Sequence, residues 1–385
     1  MIPYGHQSIS EEDIQAVVDV LRSDFLTQGP VGAQFETAIC NYTGAEYAVA
    51  VNSGTSALHL ACMALGLGPG DILWTSPITF VASANCALYC GAEVDFVDID
   101  IQTYNISIKA LEEKLKWAEK KNCLPKIIVP VHMCGLSCDM EAIAALSKRY
   151  GFYIVEDACH AIGGRYQEKL IGSCRYSDIT VFSFHPVKTM TTGEGGIATT
   201  NQKELAEKMA LLRSHGITRD PEKMTQESDG AWYYQQIELG YNYRMTDIQA
   251  ALGISQLKRL DDFVRRRNEI ACHYDELLAD LPLQAQCRSE GLSSAMHLYV
   301  IRLDKSRLDK SRLQIINELH EEGVGVHVHY IPVHTQPWYQ QIGFKNGDFP
   351  EAERFYEEAI SLPIYPDLQE DELLTIVDAL HRVIR

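Results

Sequence analysis

The chain has 385 residues of which 46% are hydrophobic, enough to fill a large core and, by length, two or three domains. A net charge of −18 with no basic block excludes nucleic acid, which would be repelled. No apolar run approaches the roughly 20 residues that span a bilayer, and the opening MIPYGHQSIS lacks the basic start and apolar core of a secretory signal, so a cytoplasmic setting with no membrane partner is expected.

In chain order, Ser10 is the expected N-cap of a first helix, with acidic residues in its first turn and Ile14, Val17, Val18 and Leu21 at helical spacing. The run Phe25–Pro30 breaks it, and a second helix is expected around Phe35–Tyr42. A strand at Tyr47–Val51 then meets Asn52-Ser53-Gly54-Thr55-Ser56 and a helical run over Ala57–Leu65. A strand, a small hydroxylated turn and a helix start form an anion site: first-turn amides lack acceptors, the helix dipole is positive there, and Gly54 permits close approach. Thr55 or Ser56 acting only as a helix cap would leave the same sequence.

Further strands are expected at Val94–Asp98, Ile127–His132 and Tyr153–Val155, with helices through Leu88 and over Lys109–Lys121, Asp139–Tyr150 and Gln202–His215. This alternation predicts a mostly parallel sheet with helices on both faces, where ligands collect beyond the carboxyl ends of the strands. One such end carries Glu156-Asp157-Ala158-Cys159-His160. Asp157 is placed to hold a pyridine nitrogen protonated, with His160 as a ring contact; a helix N-cap and a satisfied core histidine are the alternatives.

The buried run Ile179–Phe184 leads to Lys188 and then Gly193, Gly195 and Gly196. An amine just past a buried strand is partly desolvated, which favours the neutral form that condenses with an aldehyde to a Schiff base, the chemistry pyridoxal phosphate requires. The glycines let the chain turn and pass close to a flat ring, although a surface lysine beside a glycine hairpin would read alike.

Residues 217–237 show no period and are read as a long functional loop. Thr246-Asp247-Ile248-Gln249 is a capping box opening a long helix to Leu260 or beyond. The first domain is placed at 1–260 and a smaller C-terminal α/β domain at 261–385, with strands at Met296–Leu303 and Val324–Ile331 and helices over Lys310–Glu322, Glu351–Ala359 and Asp371–Ile384. No metal site is expected: the spacings Cys86-x3-Cys90 and Cys134-x3-Cys138, and His327-x-His329 with His334, are accounted for by buried thiols and by strand alternation.

The pieces NSGTSAL (52–58), EDACHA (156–161), SFHPVK with GEGG (183–196) and GYNYRMTDIQAA (240–251) resemble, in this order, the DegT/DnrJ/EryC1/StrS family of pyridoxal-phosphate-dependent sugar aminotransferases, and the resemblance covers essentially the whole chain. It implies a fold-type I transferase, aspartate aminotransferase-like, with Lys188 holding the cofactor and Asp157 on its ring nitrogen. Phe80 would stack on the ring, His160 lie near its 3-hydroxyl, and Gly54, Thr55, Ser56 and Ser183 bind the phosphate. Asn242 would reach the phosphate in a neighbouring subunit, implying a homodimer with shared active sites. Tyr4, Asp24, Phe25, Leu26, Thr27, His329 and Tyr330 would contact a nucleotide-sugar substrate. Within the family, the resemblance points to amination by glutamate at C4 of a UDP-4-keto-6-deoxy-N-acetylhexosamine, as in pseudaminic acid formation. The alternatives are a dTDP-, GDP- or other UDP-keto sugar, a sugar dehydratase, which has histidine in place of the lysine, and a non-catalytic cofactor-binding regulator.

Overall fold

The computed structural model describes residues 1–288 and 292–384. A reciprocal capping box between Ser10 and Asp13 opens α1 (Glu11–Leu21), and Pro30 starts α2 (Pro30–Thr43), which Gly44 ends in the left-handed region. Then come β1 (Tyr47–Val51), α3 (Gly54–Ala64), β2 (Ile72–Thr75), α4 (Ala82–Tyr89), β3 (Glu93–Phe96), α5 (Ile108–Lys121), β4 (Ile127–Val129), α6 (Met140–Tyr150) and β5 (Tyr153–Asp157). After the short β6 (Arg165–Tyr166) and β7 (Lys169–Leu170), β8 (Ile179–Ser183) and β9 (Gly196–Thr200) lead into α7 (Lys203–Arg213). The seven-stranded sheet has the order β1-β9-β8-β5-β4-β2-β3. In it β9 runs antiparallel to both neighbours and the remaining pairs are parallel.

Strand alternation sends successive side chains into different cores. Ile127, Val155 and Val181 pack with Leu58, Leu60 and Met209 on one face, while Ile128 and Ile154 pack with Leu111, Leu115 and Ile143 on the other. Helices therefore cover both faces, which is why these strands read as continuous apolar runs. Each such side chain stabilises by about 1.5–3 kcal/mol on burial. The carboxyl ends of β1, β5 and β8 come together at one edge of this slab.

The segment 217–237 has β10 (Ile217–Thr218) paired with β11 (Gln235–Gln236) at its base. The helix expected to run unbroken from Thr246 is two: α8 (Asp247–Leu257) and α9 (Leu260–Leu277), separated where Gln256 and Arg259 turn to bind the buried Asp13. Along α9, Leu260 and Val264 pack in the first body, and Ile270, Ala271 and Tyr274 in a second core.

That second core holds β12 (Leu283–Ala285), β14 (Tyr299–Leu303), α10 (Arg312–Glu321), β15 (Ala359–Leu362) and α13 (Glu370–Ile384); β13 (Leu292–Ser293) pairs instead with β6. α11 (Pro337–Gln341) and α12 (Pro350–Glu358) lie between them in sequence. Two expectations are corrected here. Val324–Ile331 is not a strand but makes isolated bridges, because its backbone pairs at only two points, Val324 with Ile2, where the Gly325 amide donates to the Ile2 carbonyl at 2.8 Å, and His327 with Ser361. The third strand of the small sheet is Ala359–Leu362, antiparallel to β14, where the end of a helix was expected. Ile2 also packs against the second core, so the first residues cross to the C-terminal body.

Candidate active site

A cavity of about 820 Å³ opens beyond the carboxyl ends of β1, β5 and β8. It is lined by Gly54, Thr55, Ser56, Phe80, Asp157, His160, Ser183 and Lys188 from the first body, and by Tyr4, His297, His329 and Tyr330.

At one end is the start of α3. Ser53, not Thr55 or Ser56, is the cap: its hydroxyl accepts from the Ser56 amide at 3.1 Å. Thr55 and Ser56 therefore sit in the first turn, and Ser56 donates to Asn52 at 2.7 Å. A Cβ on Gly54 would lie 2.9 Å from the Ser183 Cβ, so glycine is what lets the turn approach β8. First-turn amides ringed by the hydroxyls of Thr55, Ser56 and Ser183 suit a phosphate.

At the other end is Asp157, the last residue of β5. Its amide donates to the Pro130 carbonyl at 2.9 Å and its carbonyl accepts from the His132 amide at 3.1 Å. Its carboxylate accepts from the Ser83 hydroxyl at 2.5 Å and from the Cys159 amide at 3.2 Å. No regular helix begins there, which removes the N-cap alternative.

Lys188 lies in the loop after β8, closed by the Phe184 amide on Gly195 O at 2.9 Å and the Lys188 amide on His185 O at 2.9 Å. Burial pulls its amine below the ordinary lysine value, and the nearby Asp157 offsets this only in part. Gly196, where β9 begins, lies so close to the phosphate turn that a Cβ would sit 2.4 Å from the Ser53 carbonyl.

His160 presents Nε2 to the Tyr330 hydroxyl at 3.1 Å and packs at a tilt against His297, 4.5 Å between centroids. Burial drives both imidazoles well below their usual value, so both are neutral, and Nδ1 of each is buried without a partner. His329 bonds Ser361 at 2.9 Å and burial lowers it to about 3, while Tyr4 packs 5.3 Å from its ring. His334 is turned away to Glu353 at 2.9 Å, and among the described residues no group of three or more His, Cys, Asp or Glu is arranged to hold a metal.

Asp24, Phe25, Leu26, Thr27 and Asn242 do not line this cavity in their own chain. The 24–27 loop is pinned to the start of α8 by the Asp247 amide on Leu26 O and the bridge between Thr27 and Thr246, while Asn242 pairs with Ser214. The sequence reading passed over Ser83, His297, His185, Glu194 and Gln249. His297 lies inside the expected strand Met296–Leu303 and Gln249 completes a capping box, so each already had a structural explanation.

The donor set fits pyridoxal phosphate: an anion cradle at one end, a buried carboxylate at the other, a desolvated lysine, and Phe80 held 59% exposed at the cavity wall. Fold and site together are those of a fold-type I pyridoxal-phosphate-dependent enzyme. No helix among the described residues is long and apolar enough to cross a membrane.

The chain belongs to the DegT/DnrJ/EryC1/StrS aminotransferase family, which it matches over residues 7–381. It is 41% identical over 388 residues to the spore coat polysaccharide biosynthesis protein SpsC of Bacillus subtilis, covering 100% of this chain and 97% of that protein. Among solved structures it is similar to Helicobacter pylori PseC, an aminotransferase involved in the biosynthesis of pseudaminic acid, with a TM-score of 0.91, 33% identity and coverage of 100% and 99% of the two chains. It is also similar to the sugar aminotransferase Spr1654 of Streptococcus pneumoniae in its PMP form, with a TM-score of 0.90, 31% identity and coverage of 100% and 99%.

Proposed function

We propose that the enzyme transfers the amino group of glutamate to C4 of a UDP-linked 4-keto-6-deoxy-N-acetylhexosamine, the amination step of pseudaminic acid formation, as a cytoplasmic homodimer. The observation that carries this is the 329–334 segment HYIPVH, which puts His329 and Tyr330 in the cavity wall beside Tyr4, in a chain similar throughout to PseC.

Bound pyridoxal phosphate supplies an electron sink for the charge left when a proton leaves the donor carbon. Lys188 would anchor the cofactor and would carry that proton. Asp157 would hold the ring nitrogen, with Phe80 on the ring and His160 toward its 3-hydroxyl. Gly54, Thr55, Ser56 and Ser183 hold the phosphate. Tyr4, His329 and Tyr330 orient the sugar, with the 24–27 loop contributing at the substrate side, and Asn242 reaches the partner's phosphate. The nucleotide adds remote binding energy that positions a sugar with few charged handles.

A second reading, amination of another nucleotide-linked keto sugar, is favoured by the 41% identity to SpsC, whose name assigns it to spore coat polysaccharide. A few pocket contacts decide between such substrates. The test is to load the enzyme with glutamate's amino group, remove the donor, and offer UDP-, dTDP- and GDP-4-keto sugars separately while following the absorbance of the resting enzyme. Recovery fastest with the UDP-N-acetyl sugar supports the first reading. Preference for a dTDP or GDP sugar moves it to the second, and no recovery with any keto sugar removes both.

A further inference from the structure

We propose that Ser83, itself fed by Thr79, is a positioning residue that fixes the Asp157 carboxylate as a pure acceptor toward the cofactor's ring nitrogen; this rests on the role given to Asp157 above. Ser83 lies in the first turn of α4, fully buried, and Asp157 is 5% exposed. The Ser83 hydroxyl is 2.5 Å from Asp157 Oδ2 and 3.3 Å from the Phe80 carbonyl. A hydroxyl has one proton, and the closer, carboxylate acceptor takes it. The 2.6 Å contact between Thr79 and Ser83 is then polarised in one sense only, Thr79 donating to the Ser83 oxygen. On the far oxygen, the Cys159 amide donates at 3.2 Å.

Donors therefore point at both oxygens of the carboxylate and fix its orientation. Asp157 lines the cavity, so its remaining acceptor capacity faces the ligand space. A ring nitrogen arriving there is matched as an N–H donor and mismatched as a bare lone pair. Without the Ser83 hydroxyl, Oδ2 loses the donor that orients it, and the carboxylate is no longer held to present its free lone pairs to the ring nitrogen.

The test compares the affinity of the full-length apoenzyme for pyridoxal phosphate with its affinity for the 1-deaza analogue, in which a C–H replaces the ring nitrogen. Wild type should favour the natural cofactor. Ser83→Ala should narrow that preference about tenfold, the scale of one hydrogen bond to a charged group. Ser83→Thr keeps the hydroxyl and should keep the preference, and Thr79→Val should narrow it about threefold by removing the feeding donor. A preference unchanged in both Ser83→Ala and Thr79→Val overturns the relay. Asp157→Asn separates the two levels of the argument: if it abolishes the preference while Ser83→Ala and Thr79→Val leave it unchanged, the relay alone is wrong, and if it too leaves the preference unchanged, the role of Asp157 is wrong. No sugar substrate enters the measurement, so the outcome is independent of the substrate reading.

Discussion

His132 and Glu156, the residue before Asp157 in β5, are joined by a 2.7 Å contact between Nε2 and Oε2, both side chains buried. The Cys138 amide donates to Nδ1 at 3.1 Å, which leaves the imidazole proton on Nε2, directed at the carboxylate. Ser177 and Thr180 also donate to Glu156. Burial raises the carboxyl group, yet these donors hold it below the ordinary glutamate range. A carboxylate lowered in the folded state contributes stability above its unfolded value of about 4.3, and that contribution is lost as pH falls through the lowered value. Glu156→Gln should therefore flatten the acid limb of the thermal stability profile below about pH 4.3, whereas an acid limb as steep as wild type would show that Glu156 is not a stabilising ion.

Removing the other partner tests the same pair from its neutral side. His132→Ala leaves a buried carboxylate short of one donor and should destabilise by about 3 kcal/mol. Thermal unfolding at pH 7 measures it, and a loss under about 0.5 kcal/mol, the range of an ordinary surface change, would contradict the description.

Lys188 should capture cofactor at lower pH than an ordinary lysine. Burial disfavours the charged amine, so the reactive neutral form appears at pH values below 10.5. The association rate of pyridoxal phosphate with the apoenzyme should rise with pH to a midpoint below that value, and Lys188→Ala should lose the lysine-bound absorbance and turnover together. A midpoint at or above the ordinary lysine value would mean the site does not desolvate the amine.

Gly54→Ala should weaken cofactor binding at least tenfold, since a Cβ there meets Ser183 Cβ at 2.9 Å and Cys159 Sγ at 3.3 Å and pushes the phosphate turn from β8. Free phosphate should compete less well against the variant. Equal affinities in the two proteins would place the anion elsewhere.

Sharing of sites between subunits is checked by mixing inactive Asn242→Ala and Lys188→Ala proteins under subunit exchange. Hybrid dimers with one intact site should recover up to about a quarter of wild-type activity, because half the dimers are hybrids and each has one working site of two. Exchange without recovery would confine Asn242 to its own chain.

Much of this arrangement was legible because it obeys local rules. The reciprocal caps at Ser10 and Thr246 form where their spacing requires, and β5 and β8 read as apolar runs because helices cover both faces. Ser83 was hidden for a physical reason: a serine in the apolar helix 82–89 carries no periodic signal, and its meaning depends on an oxygen 74 residues away. Val324–Ile331 misled because alternating valines suit a strand, while the decisive fact, the Ile2 backbone against Gly325, is non-local. The four-residue β15 follows directly on a helix, and no turn residue separates them.

At Gly196 one residue stands opposite Val51 on one side and Ser183 on the other. The phosphate turn and the start of the lysine loop are thereby laced to a common rung, whereas Tyr4 and His329 are tied to the C-terminal body through Ile364 and Ser361. Amide hydrogen exchange should divide the cavity accordingly, with slow exchange for the β8 and β9 rungs inside the sheet and faster exchange along 325–331, whose bridges are isolated. Ligands that grip only the β1, β8 and β9 side should therefore leave the exchange of the 325–331 side unchanged.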